Sequence, residues 1–249
     1  LVFTEANCQP ASNQWLRLMA RNFTPHTQIV LGYSGYERGK GWLHKRISFN
    51  TLFTSLRYLG FALAGKPYMG LGRNLAYRKE LFFKQKGYST HLNLQRGEDD
   101  LFINQIANTE NTRVETNARA IMRMQPIERY KDWKEERVSY MATARYYKGA
   151  QRYLLGFETC SRLLFYVACI ASIVFGIIHS HWLVAGIAFF IWLLRYTVQA
   201  IVINKTATDQ EENRHYYFSL LLFDLLQPLQ TLQFKLYRLY RGKGDFMRR

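Results

Sequence analysis

Gly97-Glu98-Asp99-Asp100-Leu101-Phe102 sets three consecutive carboxylates behind a glycine and directly ahead of an apolar, helix-like run that continues through Ile103-Asn104-Gln105-Ile106. Like charges packed this tightly repel one another, so at least one carboxyl is expected to hold its proton to a higher pH than a free one. A carboxylate tuned that way at a helix start can act as a general base. The same residues also suit a plain acidic helix N-terminus, where Asp and Glu complement the macrodipole. The neighbouring segments bear on which reading applies.

Upstream, Gly70-Leu71-Gly72-Arg73-Asn74-Leu75-Ala76-Tyr77-Arg78 combines glycines that permit close backbone approach with a strand-like Leu75-Ala76-Tyr77. Gly-x-Gly without a following Lys-Ser/Thr is not a P-loop. Further back, 43–64 carries apolar residues around a whole helix, which predicts packing on several sides or contact with a membrane. Residues 32–42 are rich in glycine, tyrosine and cations, as in a loop over a substrate or a plain surface loop. Gln28–Tyr33 reads as a strand, and Trp15–Phe23 as an amphipathic helix. Leu1-Val2-Phe3-Thr4 reads as the end of a buried strand with no earlier element to pair with. The chain is therefore expected to be N-terminally truncated, and residues 1–249 alone to be inactive. Downstream, 113–124 includes another strand and 130–148 has helical character. Strands interleaved with helices predict an α/β domain.

The 249 residues include 34 Lys+Arg against 18 Asp+Glu, a net charge of +16. A balance this basic attracts phosphate, in nucleic acid, anionic lipid or a nucleotide-linked substrate. Much of the charge flanks apolar segments and no recognition motif accompanies it, so nucleic acid is not an expected partner. Cys8, Cys160 and Cys169 match no metal or disulfide spacing, consistent with a reducing compartment. The six histidines form no competing site, and no Gly-x-Ser-x-Gly suggests hydrolysis.

The last third is different. Leu163–Ile178 and Trp182–Leu194 contain no charge. Each is shorter than the roughly 20 residues that span a bilayer. Flanking residues extend both, if Arg162 and Arg195 snorkel or face protein. Lys and Arg precede and follow this hairpin but are missing from its tip, so residues 1–160 and the C-terminus are expected in the cytoplasm. Tyr216–Leu226 is apolar but broken by Asp224 and Pro228, and the mixed apolar and basic run to Arg241 suits an interfacial helix on anionic lipid.

In order and spacing, these pieces resemble glycosyltransferase family 2, with a layout similar to membrane-bound bacterial cellulose and hyaluronan synthases. The motifs are the acidic turn after Leu1–Thr4, Asn-x-Ala-x-Arg at 74–78, Gly-Glu-Asp-Asp at 97–100, the Lys/Arg helix and the hairpin, together covering about residues 1–205. The resemblance implies a GT-A, Rossmann-like domain, of which 1–155 would be the C-terminal part. It would be followed by a transmembrane hairpin at 156–205 (spans about 161–178 and 182–203) and a membrane-associated basic tail at 206–249. It implies an inverting transferase at the bacterial inner membrane, catalytic domain in the cytoplasm, moving sugar from a nucleotide-diphosphate-sugar to a glycan or lipid-linked acceptor.

Within that resemblance, Asp99 would be the base, with Asp100 as the alternative and Glu98 beside them. Lys134-x-x-Arg137 is similar to the family's Gln-x-x-Arg-Trp motif, which would place Lys134 and Arg137 at the donor diphosphate. Asn74 and Arg78 match a motif near donor and acceptor. Glu5 and Asn7 fall where the family has Asp-x-Asp, whose carboxylates hold Mg²⁺ or Mn²⁺. Here Glu and Asn replace both Asp residues, and Val138 replaces the aromatic, so a weakened or catalytically dead membrane scaffold is the alternative.

Overall fold

A computed structural model describes residues 1–89, 96–210 and 214–240. His91 and the tail beyond Tyr240 lie outside the described residues. The chain is a mixed α/β protein. Its elements run β1 (Val2–Phe3), β2 (Cys8–Pro10), α1 (Trp15–Ala20), β3 (Ile29–Gly32), β4 (Ser34–Tyr36), α2 (Trp42–Leu63), β5 (Leu75–Tyr77), α3 (Lys79–Lys84), α4 (Glu98–Ile106) and β6 (Thr112–Glu115). They continue with β7 (Met122–Met124), α5 (Tyr130–Met141), α6 (Gln151–Ile178), α7 (Trp182–Asp209) and α8 (Tyr217–Tyr240).

Two mixed sheets form. The larger has the order β1-β5-β3-β6, with β5 antiparallel to both neighbours and β3 parallel to β6. The opening strand thus finds its partner downstream, in β5. The smaller sheet has the order β2-β7-β4. Two expectations change here. The segment 113–124 is two strands in different sheets, separated by a 3₁₀ turn at Ala118–Ala120. Residues 34–36 of the glycine- and tyrosine-rich stretch are no loop; they form a buried strand parallel to β7.

Strand alternation explains the layering. Ile29, Leu31, Leu75 and Tyr77 point into the main core with Leu101, Phe102 and Ile103 of α4. Val30 and Ala76 point the other way, onto Met19 of α1. Asn74 locks this arrangement. Its Nδ2 donates to the carbonyls of Tyr33 (2.7 Å) and Ala120 (2.8 Å), and its Oδ1 accepts from Trp15 Nε1 at 2.9 Å. Asn74→Ala removes all three bonds, leaving the Ala120 carbonyl and Trp15 Nε1 without this partner while the Tyr33 carbonyl keeps the Met122 amide at 3.2 Å, and is expected to lower stability by about 2 kcal/mol, read by denaturant unfolding in detergent.

Helix α2 joins the sheets to the apolar helices. Phe49, Leu52 and Tyr58 lie in the main core, whereas Ile47 belongs to a second cluster with Trp133 and Phe234. The Phe49 ring also meets Tyr216 at 5.4 Å and Phe223 at 5.1 Å. Such all-round burial is why its apolar residues fall on no single face.

Both hairpin helices are long and apolar enough to cross a membrane. They outrun the expected spans: α6 begins at Gln151 and α7 runs to Asp209. Arg162 and Arg195 face protein. Asp224 of α8, nearly inaccessible, pairs with Arg162 at 3.2 Å and accepts from Arg195 at 2.9 Å and from the Tyr166 hydroxyl. The charge that interrupts the third apolar stretch is therefore the counter-ion of the hairpin's two arginines. Helix α8 continues through Pro228. It buries Leu220, Phe223 and Phe234 while exposing Phe218, Leu225, Leu229, Leu232 and Leu236. An exposed apolar stripe of this kind suits an interfacial helix.

Candidate active site

The edge of the larger sheet, the loop before β5 and the start of α4 meet around Asp99. Gly97 adopts φ 90°, and a Cβ there would lie 2.2 Å from Thr143 Cγ2, so only glycine allows the chain to enter α4 at this angle. That entry places Glu98, Asp99 and Asp100 in the first helical turn. Across from it, the Gly72 amide donates to Asp99 Oδ2, and a Cβ on Gly72 would come within 2.8 Å of that oxygen. The glycine before β5 lets the backbone hold the carboxylate directly.

Asp99 opens onto a cleft of about 350 Å³ lined by Phe3, Glu5, Tyr88, Arg96, Glu98 and Tyr140, among others. Burial pushes its pKa up to about 6; the amides of Gly72 and Asp100 pull against this, and Glu98 adds to it. Asp100 is different. It lies in the interior, 1 % exposed. Its Oδ2 accepts from the Tyr147 hydroxyl at 2.7 Å and lies 2.8 Å from Thr143 Oγ1. Thr143 has one hydroxyl hydrogen but also faces the Tyr140 carbonyl at 2.8 Å. A proton on Asp100 satisfies both contacts, with the carboxyl donating to Thr143 and Thr143 to the carbonyl. In agreement, burial raises the Asp100 pKa to about 8; the two hydroxyls lower it and Asp99 raises it further.

The consequence for stability has a defined sign. An unfolded Asp ionises near its ordinary pKa of about 4, whereas the folded Asp100 resists ionisation until about 8. The folded state therefore loses stability as pH rises from about 4 to 8. Asp100→Asn is expected to remove that loss: melting profiles of wild type and variant should converge near pH 4 and separate in the variant's favour by pH 8.5. Parallel profiles would contradict a neutral Asp100.

A charged network backs the cleft. Arg73, buried, pairs with Glu5 at 3.2 Å and Glu136 at 2.8 Å. Glu136 also accepts from Tyr36 at 3.3 Å and lies 3.9 Å from Arg96. The Tyr140 hydroxyl donates to Glu5 at 3.3 Å. Arg96 reaches into the cleft itself.

Of the residues singled out by sequence, Glu5, Glu98 and Asp99 come together here. Asp100 lies behind them. Asn7 is exposed, 3.6 Å from the Cys8 thiol, and does not line the cleft. Asn74 ties the sheets, and Arg78 clamps the 24–27 turn by donating to the carbonyls of Thr27 (3.0 Å) and Thr24 (2.7 Å). Lys134 sits 3.3 Å over the Tyr237 ring, and Arg137 lines a different cavity. Sequence reasoning passed over Arg73, Arg96, Glu136 and Tyr140. Only Arg73 had a signal, inside the Gly-x-Gly-Arg-Asn segment; the others are brought in by tertiary packing.

Glu5 and Asn7 do not fit a metal centre as arranged. Glu5 Oε1 is engaged by both Arg73 and Tyr140, and the adjacent buried guanidinium would repel a dication. Asn7 contributes a neutral amide at most, and no three of His, Cys, Asp and Glu converge on a metal site among the described residues. The arrangement can instead accept a proton from a hydroxyl at Asp99 while Arg96 and the network under it stabilise negative charge nearby. Compared with known proteins, the chain matches no family model and no curated protein.

Proposed function

We propose that this chain is an inverting, membrane-anchored glycosyltransferase of the family 2 type. It moves a sugar from a nucleotide-diphosphate-sugar to a hydroxyl of a glycan or lipid-linked acceptor at the cytoplasmic membrane face. The observation that carries this reading is Asp99: a carboxylate at a helix start, held by the Gly72 amide, facing a cleft, with a pKa raised to about 6. Such a base is largely ionised at pH 7 yet retains affinity for a proton. It takes the proton of the acceptor hydroxyl as that oxygen attacks the anomeric carbon from the face opposite the leaving diphosphate. Direct displacement inverts the configuration. Arg96 offsets the charge on the departing group, and no step is assigned to a metal.

The hairpin supports a membrane location, and the distribution of Lys and Arg around it supports a cytoplasmic cleft. The reading is tested in membranes holding the protein, with a panel of labelled donors. Wild type is expected to label a glycan or lipid-linked acceptor, and Asp99→Asn is not. One observation favours a catalytically dead scaffold instead: one oxygen of Glu5 is taken up by Arg73 and Tyr140. A scaffold would bind a donor and label nothing.

A further inference from the structure

A second cavity, of about 190 Å³, lies where α2, α5, α6 and α8 meet. Four cations from four helices line it, Arg57, Arg137, Arg162 and Lys235, against one carboxylate, Glu158. Glu158 is already shared between Arg57 (3.7 Å) and Arg162, and Arg162 is further held by Asp224 and by Gln227 at 2.6 Å. Arg137 and Lys235 make no hydrogen bond or ion pair with any described residue. Glu136, next to Arg137 in the chain, is engaged by Arg73 and Arg96. Unpaired cations gathered from separate helices repel one another, and an anion between them removes that cost.

The surroundings say what carries the anion. The cavity is built on the first turns of α6, where the chain enters the candidate membrane span Tyr153–Ile178. Exposed apolar side chains flank the lining residues on the same helices, Leu154 and Phe157 on α6 and Leu229, Leu232 and Leu236 on α8. Drug-sized ligands occupy roughly 300–1,000 Å³, so a cavity of about 190 Å³ suits a single small headgroup rather than a nucleotide-sugar. We propose that this cavity binds the phosphate group of an anionic lipid, with Arg137 and Lys235 donating to its oxygens and the acyl chains lying along the apolar flanks of α6 and α8. The Arg137 guanidinium supplies a planar fork and Lys235 a mobile point charge. The site is independent of the chemistry at Asp99.

Native mass spectrometry of the full chain in detergent, titrated with phosphatidate or phosphatidylcholine, tests this. One phosphatidate is expected to be retained in preference to phosphatidylcholine. Arg137→Gln combined with Lys235→Gln should weaken that retention roughly tenfold or more, since each removes a hydrogen bond to a charged group. Arg137→Lys should restore part of it, and Arg238→Gln, which removes a cation of α8 outside the cavity, should leave it unchanged. Melting temperatures equal to wild type identify variants that remain folded; exposed Lys235→Gln alone supplies a weaker loss on an intact fold. Phosphatidate retention unaffected by the double variant would overturn the site. Binding of inorganic phosphate with the same sensitivity to the variants, without lipid retention, would overturn the lipid as its source.

Discussion

Asp99→Asn is expected to lower the turnover of sugar transfer by about 10²–10⁴-fold while leaving donor affinity within a few-fold of wild type, the range lost when a positioned general base is removed. The amide keeps the size of the side chain and can still accept from Gly72 through its oxygen. The change therefore removes basicity more than shape. Asp100→Asn is the matched control one residue away. Asp100 is buried and already neutral at pH 7, so its amide should leave turnover close to wild type. Rapid-quench measurement of a single turnover, alongside equilibrium binding of donor, separates chemistry from binding. Equal losses in both variants would point to damage at the helix start rather than to a base.

The second large effect belongs to the membrane helices. Asp224→Ala is expected to destabilise the docking of α8 on the hairpin by about 3–5 kcal/mol, the cost of leaving a buried charge without its partner. Here Arg195 would lose its carboxylate partner, and Arg162 would be left with Glu158 and Gln227 alone. Asp224→Asn keeps the hydrogen-bond acceptor and should recover part of the loss. The exposed pair Arg129–Asp132 (2.8 Å) is a contrasting case, and Asp132→Ala should cost less than about 1 kcal/mol. Unfolding in detergent reads all three. Indistinguishable stability of Asp224→Ala and Asp132→Ala would refute the triad as the tie between α8 and the hairpin.

Much of the architecture was legible in the chain because its signals are local. Glycine before three carboxylates and an apolar run gave α4 from its first residue, and the uncharged runs gave both membrane-length helices. The apolar ring of the helix at 43–64 left packing on several sides or membrane contact open, and α2 touches both clusters. What failed depended on distant partners. Ser34-Gly35-Tyr36 has the composition of a loop, yet β7 draws it into a strand. The break at Asp224 looked like a flaw in an apolar segment, and only the hairpin's arginines explain it.

The site was half legible for the same reason. Asp99 announced itself through its neighbours in sequence. Arg96 and Tyr140 converge on the cleft from separate segments with no spacing to betray them, and Arg73 behind it had only its place in the Gly-x-Gly-Arg-Asn segment. The resemblance implies Lys134 and Arg137 at a donor diphosphate; packing of α5 against α8 sets Lys134 over the Tyr237 ring and Arg137 in the second cavity.

The central claim is that Asp99 is the base of a sugar transfer, and the pH dependence of labelled-sugar incorporation tests it most directly. A base must be ionised to act, so kcat/KM is predicted to rise through about pH 6 and level off by pH 8, with Asp99→Asn low and flat over the same interval. A variant whose rate and pH profile overlay those of wild type would contradict it.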